Sequence, residues 1–438
     1  MNSRYLLCSL FAVIACLSLH SASAQEATPI EVPDTSGAQW APAATGNFAP
    51  ANRPTDIPID YVVIHDIEGS AESAVSWFQN PKAGTSSHYV VSSLSGKIWQ
   101  MVKERDVAWH AGNRDINRRS VGIEHEGFAG RPGFFNPIEY ETSARLVREI
   151  TTRYKIPRDR THIISHAEVP HPTKPGLFGG ASRHTDPGPY WDWNHFMTLV
   201  RNDAKAVDFQ FPAVIHPGEV LEASARFMNS GDDAWPVFYT EEMPPPGAAS
   251  SPVPVYLGTA NPESRVSAFW SYKGWASPRM ATMAEKEVAP GATGRFVWKL
   301  TGPRTLGTFS ESFRLTKVPF APLTPVSFGE TITATIRVEP WDIKHAAVGN
   351  EAKATLPISG LWDVYAASPL GEAKPRYQIT ASTGTAIVQA DQAATDSWIP
   401  LGRFRFDDPK KATIMRLDDA VQGLGINLLR FVGPFPTP

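Results

Sequence analysis

Helical periodicity runs through this chain only as far as about residue 205, and beyond that point short β-type runs alternate with Pro and Gly turns. The two patterns bury apolar surface in different layer arrangements, so the chain divides into domains. At roughly 100 to 200 residues per domain, 438 residues make two to four of them. Strand-like runs interleave with helical patterns over 58–204, as in an α/β layer domain. A second change comes near Trp341, where a charged, alanine-rich connection leads into another strand-rich block. The fold class expected is multidomain: one α/β domain at 58–204, then two all-β sandwich domains at 205–339 and 340–438.

Within the first domain the apolar run at 61–65 reads as a buried strand. Residues 71–78 read as a helix with Ala74, Trp77 and Phe78 on one face. Residues 87–91 and 97–102 read as strands joined by a turn at Ser95-Gly96, and 121–126 as a further strand. Asn136-Pro137 is a cap followed by a proline at the first helical position, and Tyr140, Ala144, Val147, Ile150 and Tyr154 then recur at helical spacing as far as Pro157. Residues 162–166 are one more short strand.

The amino terminus reads as a secretory signal peptide, 1–24: Arg4, an apolar run over 6–19, and Ala22-Ser23-Ala24 before Gln25. That run is shorter than the about 20 residues a membrane span takes. Val13-Ile14-Ala15-Cys16 is a lipobox-like alternative that would leave Cys16 lipidated. Either route exports the protein, to the periplasm or the extracellular space. Cys8 and Cys16 are the chain's two cysteines, so the exported part has no disulfide beyond Cys16. Residues 25–57 are rich in Pro, Ala, Thr and Ser without periodicity and read as a linker or a strap along the first domain. With 41 Lys+Arg against 44 Asp+Glu, the net charge of -3 excludes a nucleic-acid binder held by a broad basic face.

Nine of the twelve histidines lie between residues 65 and 195, under a third of the chain, which suggests a metal site. His65 ends one strand and His166 another, while Asp186 sits in His184-Thr185-Asp186-Pro187-Gly188-Pro189, where prolines restrict the loop. Two histidines and a carboxylate leave a fourth position of a tetrahedral ion open, the arrangement of a catalytic zinc site. His184 is the rival third ligand. Glu124 and Glu126 alternate with His125, so strand geometry puts both carboxylates on one face, toward water or toward a cleft.

Six stretches occur in a fixed order: His65 at its strand end, Ser87-His88-Tyr89-Val90-Val91, Ala108-Trp109-His110-Ala111-Gly112, Ser120-Val121-Gly122-Ile123-Glu124, His166-Ala167-Glu168-Val169-Pro170, and Thr185-Asp186-Pro187-Gly188-Pro189. The series resembles type 2 N-acetylmuramoyl-L-alanine amidases, zinc enzymes that share their fold with peptidoglycan recognition proteins. The resemblance implies a mixed sheet flanked by helices, Zn2+ held by His65, His166 and Asp186, and Glu124 as the catalytic acid/base. Relatives commonly carry lysine two residues before the last ligand, where this chain has His184. His184 keeps that role in steadying the oxyanion if it is protonated or donates a hydrogen bond. Trp109, His110 and Tyr89 are the candidate substrate contacts, each with a packing role as the alternative, and His125 is assigned to packing.

Residues 207–338 look like a bacterial immunoglobulin-type domain, on Asn229-Ser230-Gly231 with Trp235, Trp270, Trp298 and Gly302-Pro303. Trp270, Tyr272 and Trp275 would be either core or sugar-stacking. Residues 343–435 are similar to golvesin-like carboxy-terminal domains, on 360–365, 377–379, Asp391-Gln392, 398–404 and 429–431. The resemblances together imply an exported monomeric hydrolase of peptidoglycan or muropeptides, with polysaccharide a candidate ligand of the β-domains. The alternatives are a non-catalytic recognition protein and a surface adhesin with a vestigial amidase fold. Glu124 and a full ligand set favour the enzyme.

Overall fold

The computed structural model describes residues 32–237, 253–319, 324–346, 350–367, 375–390, 398–417 and 428–436. The expected leader with Cys8 and Cys16, and Asp391-Gln392, lie outside the described residues.

The first unit is built from strands β1 (Ala38–Trp40), β2 (Phe48–Ala49), β3 (Tyr61–Asp66), β4 (Tyr89–Val91), β5 (Ile98–Gln100), β6 (Val107–Ala108), β7 (Ser120–His125) and β8 (Ile163–Ser165). Its helices are α1 (Ala71–Gln79), α2 (Arg114–Arg119), α3 (Pro137–Tyr154) and α4 (Trp193–Arg201). Six strands form one sheet in the order β1-β5-β4-β7-β3-β8, parallel throughout except for the antiparallel β4–β5 pair. The sheet is therefore mixed. Its central strand β3 is apolar through Val62, Val63 and Ile64 because both faces are covered, as parallel strands require.

On one face α3 packs Tyr140, Ala144, Val147 and Ile150 against Val62, Ile64, Val121 and Ile123. Asn136 caps α3 by accepting from the amides of Ile138 and Glu139, Pro137 opens it, and Lys155 at φ 58° ends it. On the other face Ala71, Ala74 and Phe78 of α1 meet Val90 and Trp99. Trp77 departs from the expected inward face of α1: it is 50% exposed.

Within the stretch expected to be a linker or strap, the described residues 32–57 carry two strands. β1 pairs in parallel with β5 and β2 antiparallel with β6, so pairing begins well before the expected start at Tyr61. Edge pairing uses backbone groups and needs no apolar periodicity, which is why composition hid it.

After α4 the described residues are strands. A three-stranded sheet (Thr293–Thr301, Val220–Asn229, Ala204–Gln210) and a six-stranded sheet containing Val255–Ala260, Gly307–Lys317 and Val326–Val338 bury Phe227, Phe296, Trp298, Phe313 and Leu315 between them. Trp275 belongs to this core and donates its indole N–H to Lys299 O, whereas Tyr272 is exposed. Two four-stranded antiparallel sheets over 341–435 share a separate core around Trp362, Tyr377, Ile379, Phe406 and Phe431.

Glu139, in the first turn of α3, is fully buried, and neither carboxyl oxygen has a hydrogen-bond partner. Burial, reinforced by Glu126 and Asp66, pushes it up to about 9; the Glu126 amide offsets little, since it donates to Val91 O. The folded chain thus holds a proton that the unfolded chain releases above the ordinary 4.5. Stability from this group is full at acid pH and is lost as pH rises toward 9. Glu139→Gln should stabilise the fold at pH 7–8 by on the order of 1–3 kcal/mol and so raise the thermal midpoint, with a smaller gain near pH 5. Calorimetry across that range checks it, and an equal or lower midpoint at pH 8 would refute it.

Candidate active site

The site forms where parallel strands end. In the β3–β7 register His65 lies beside Glu124, and in the β3–β8 register Ile64 lies beside Ser165, so His166 emerges one residue past it. Alternation puts His65 and Glu124 on the same face of the sheet. The loop before Pro187 brings in Asp186, whose backbone carbonyl accepts from the Ala167 amide.

His65 Nδ1 stands 3.1 Å from His166 Nδ1 and 3.1 Å from Asp186 Oδ2, and His166 Nδ1 is 3.3 Å from the same oxygen. All three side chains are buried. Donor atoms about 2.0–2.1 Å from a tetrahedral ion lie about 3.3 Å from one another, so these distances fit a metal triad. Burial pushes His65 down to about 4, so its ring nitrogen keeps a free lone pair at neutral pH. Against burial, the facing rings of His166, His184 and His65 hold Asp186 well below the usual carboxylate range. The set offers two ring nitrogens and one carboxylate to a cation.

Glu124 lines the same cleft, with part of its surface open to it. Its carboxyl is nonetheless enclosed closely enough that burial, then Asp186 and Asp66, push it well above the ordinary value. Glu126, the other candidate of the pair, is withdrawn: its Oε2 accepts from Ser92 Oγ, Ser93 N and Ser93 Oγ. His184 is half-exposed, stacks on His166 at 4.3 Å, and has Nδ1 3.5 Å from Asp186 Oδ1. The Asp186 carboxylate beside it raises its pKa.

The cleft is about 720 Å³, with Trp77 and Trp109 on its walls and Thr85, Asn117 and Ser182 around it. Of the expected substrate contacts, Trp109 is 37% exposed and placed to touch a ligand. His110 also lines the cleft but is largely buried, its Nδ1 2.9 Å from His65 Nε2. Tyr89 is corrected: it is fully buried and donates to Glu104 Oε1 at 2.7 Å. The register explains this, because Tyr89 pairs with Ile123 and so faces α3, while its neighbour Val90 pairs with Glu124. His125 pins the frame as a packing residue, Nδ1 on His65 O and Nε2 on Ser143 Oγ. Trp77, Asn117 and Asp66 were given no site role from the sequence. Asp66 Oδ2 accepts from the Glu68 and Ala129 amides and ties the turn after β3 to the loop after β7.

A larger hollow, about 840 Å³, lies between α3 and the second unit. No histidine lines it, and Arg158 and Arg314 there already bond to Asp232 and Glu141.

The Amidase_2 family, described as N-acetylmuramoyl-L-alanine amidase, matches residues 55–189. N-acetylmuramoyl-L-alanine amidase A of Achromobacter lyticus is 34% identical over 176 residues, 38% of this chain and 95% of that relative. The chain belongs to the N-acetylmuramoyl-L-alanine amidase family. N-acetylmuramoyl-L-alanine amidase AmiD of Escherichia coli (strain K12) is 30% identical over 196 residues, 39% of this chain and 66% of that amidase. Among solved structures, that of PlyL aligns at 18% identity over 37% of this chain and 96% of that one, with a TM-score of 0.28.

For this amidase, alanine at His65, His166 or Asp186 should empty the metal site, whereas His184→Ala should retain about one equivalent of metal. Elemental analysis of the purified variants decides between Asp186 and His184, and a His184→Ala protein as metal-free as Asp186→Ala would reassign the ligand.

Proposed function

We propose that the chain is an exported zinc-dependent peptidoglycan hydrolase that cuts the amide between N-acetylmuramic acid and the L-alanine of the stem peptide. The observation that carries this reading is the close set of His65, His166 and Asp186 donor atoms in a cleft whose next strand presents Glu124.

Zinc held by His65, His166 and Asp186 would lower the pKa of a water toward ~7 and polarise the amide carbonyl. Glu124 takes the proton of the attacking water and passes it to the leaving L-alanine nitrogen. Burial raises its affinity for a proton, which suits a carboxylate that accepts in the first step and donates in the second. His184, drawn toward its protonated form by Asp186, donates to the oxyanion that develops on the carbonyl. Trp109 and Trp77 flank the substrate and shield the reacting amide from bulk water. The two strand-rich units are read as an immunoglobulin-like and a golvesin-like sandwich that bind or position polymer. The leader at 1–24 supports action in the periplasm or outside the cell.

Incubation of the mature protein with purified sacculi should free new amino termini on L-alanine, stop with a chelator, and resume with added zinc. Glu124→Gln should cut the rate by about 10²–10⁴ while zinc content holds. Equal and negligible release by wild type and Glu124→Gln at full zinc occupancy would leave a binding protein instead of an enzyme.

A further inference from the structure

Behind His65 a chain of polar atoms leads away from the cleft through His110 to Ser120. His65 Nε2 lies 2.9 Å from His110 Nδ1, and His110 Nε2 lies 3.1 Å from Ser120 Oγ. Ser120 Oγ donates its proton to Ile116 O at 2.6 Å. His65, His110 and Ser120 are all buried.

A hydroxyl has one proton, and a carbonyl can only accept, so the Ser120 proton is committed to Ile116. The remaining Ser120 lone pairs face His110 Nε2, which must therefore carry the N–H. In a neutral ring His110 Nδ1 is then a lone pair and accepts from His65 Nε2–H. His65 Nδ1 is left bare, and it is the atom aimed at His166 and Asp186. Read in the opposite direction, the chain would put a proton on His65 Nδ1 and block it as a ligand.

The backbone is arranged to make this possible. Ser120, Gly122 and Glu124 alternate on one face of β7. A Cβ on Gly122 would come within 2.6–2.8 Å of the His110 ring, so only glycine lets that ring lie against the strand. Asn117 Oδ1 accepts from the amides of His110 and Ala111 and fixes the ring from its own backbone.

We propose that Ser120 is a positioning residue which, through His110, sets the His65 tautomer that binds zinc. The proposal rests on the metal reading of His65, His166 and Asp186 and adds a direction to it. One face of β7 then supplies Glu124 to the reaction, room for His110 at Gly122, and the fixed acceptor at Ser120.

Long-range ¹H–¹⁵N spectra of the full chain, labelled at histidine and loaded with zinc, should show both His65 and His110 protonated at Nε2. Ser120→Ala should weaken zinc binding by about 10- to 100-fold in competition with a chromophoric chelator, and His110 should then populate both tautomers. Thermal unfolding of the metal-free variant controls for folding, and if the variant does not fold, the wild-type tautomers decide alone. His110 protonated at Nδ1 in wild type, or a folded Ser120→Ala that binds zinc as tightly as wild type, overturns the relay. Wild type that binds no zinc, or binds it equally after His65→Ala, overturns the metal reading beneath it.

Discussion

Everything at the site depends on the parallel ladder of β7, β3 and β8. Parallel strands carry their carboxyl ends to the same edge, and ligands collect at that edge because the connecting loops open there. The register then fixes which side chains meet: His65 beside Glu124, and His166 just beyond the β8 pairing. A slip of one residue on β3 would turn His65 toward α3 and put an aliphatic side chain at the cleft. Continuous burial of Val62, Val63 and Ile64 resists that slip, so packing of the sheet and geometry of the site are one constraint.

The ladder brings together groups that are unfavourable neighbours. Two imidazole nitrogens and a carboxylate, buried within about 3.3 Å of each other, lose hydration that no solvent replaces. Burial drives His65 toward its neutral form, while the three histidine rings that face Asp186 keep it ionised. A cation held there would offset the cost of that anion, and Glu124 is pushed the other way by burial and by Asp186. One charge distribution thus supplies an ionised ligand and a carboxyl able to hold a proton.

Much of this was legible because it lay at boundaries that sequence marks well. β3, α1 and α3 show as an apolar run, a short amphipathic stretch and a capped helix, and His65, His166 and Asp186 sit at strand ends and in a proline-bounded loop. What failed were assignments of face. Tyr89 sits one residue from a cleft-facing position and so points the wrong way, and Trp77 occupies the apolar helix pattern yet forms a cleft wall. α2 is six polar-rich residues, too short for a periodic signal. Ser120 and Gly122 were quoted in a motif without a role, although their two-residue spacing from Glu124 already placed them on its face.

The second unit is not hung from a flexible tether. α4 ends at Arg201 and the next strand begins at Ala204, and one apolar cluster continues from Phe196 and Leu199 through Ala204 to Phe328. Around that seam Arg314 makes a two-pronged pair with Glu141 of α3 at 2.7 and 3.2 Å, Arg158 reaches Asp232 at 3.0 Å, and Lys317 reaches Asp233 at 3.0 Å. Fixing two long side chains costs entropy that an exposed pair barely recovers, but these pairs border buried apolar contact and are partly shielded from water. The third unit differs: it keeps its own core and meets the second through Trp341, which stacks on His216 and donates to Pro217 O. Any surface the second unit offers is therefore held at one orientation to the cleft, so ordering it on a substrate costs no further freedom between the two units.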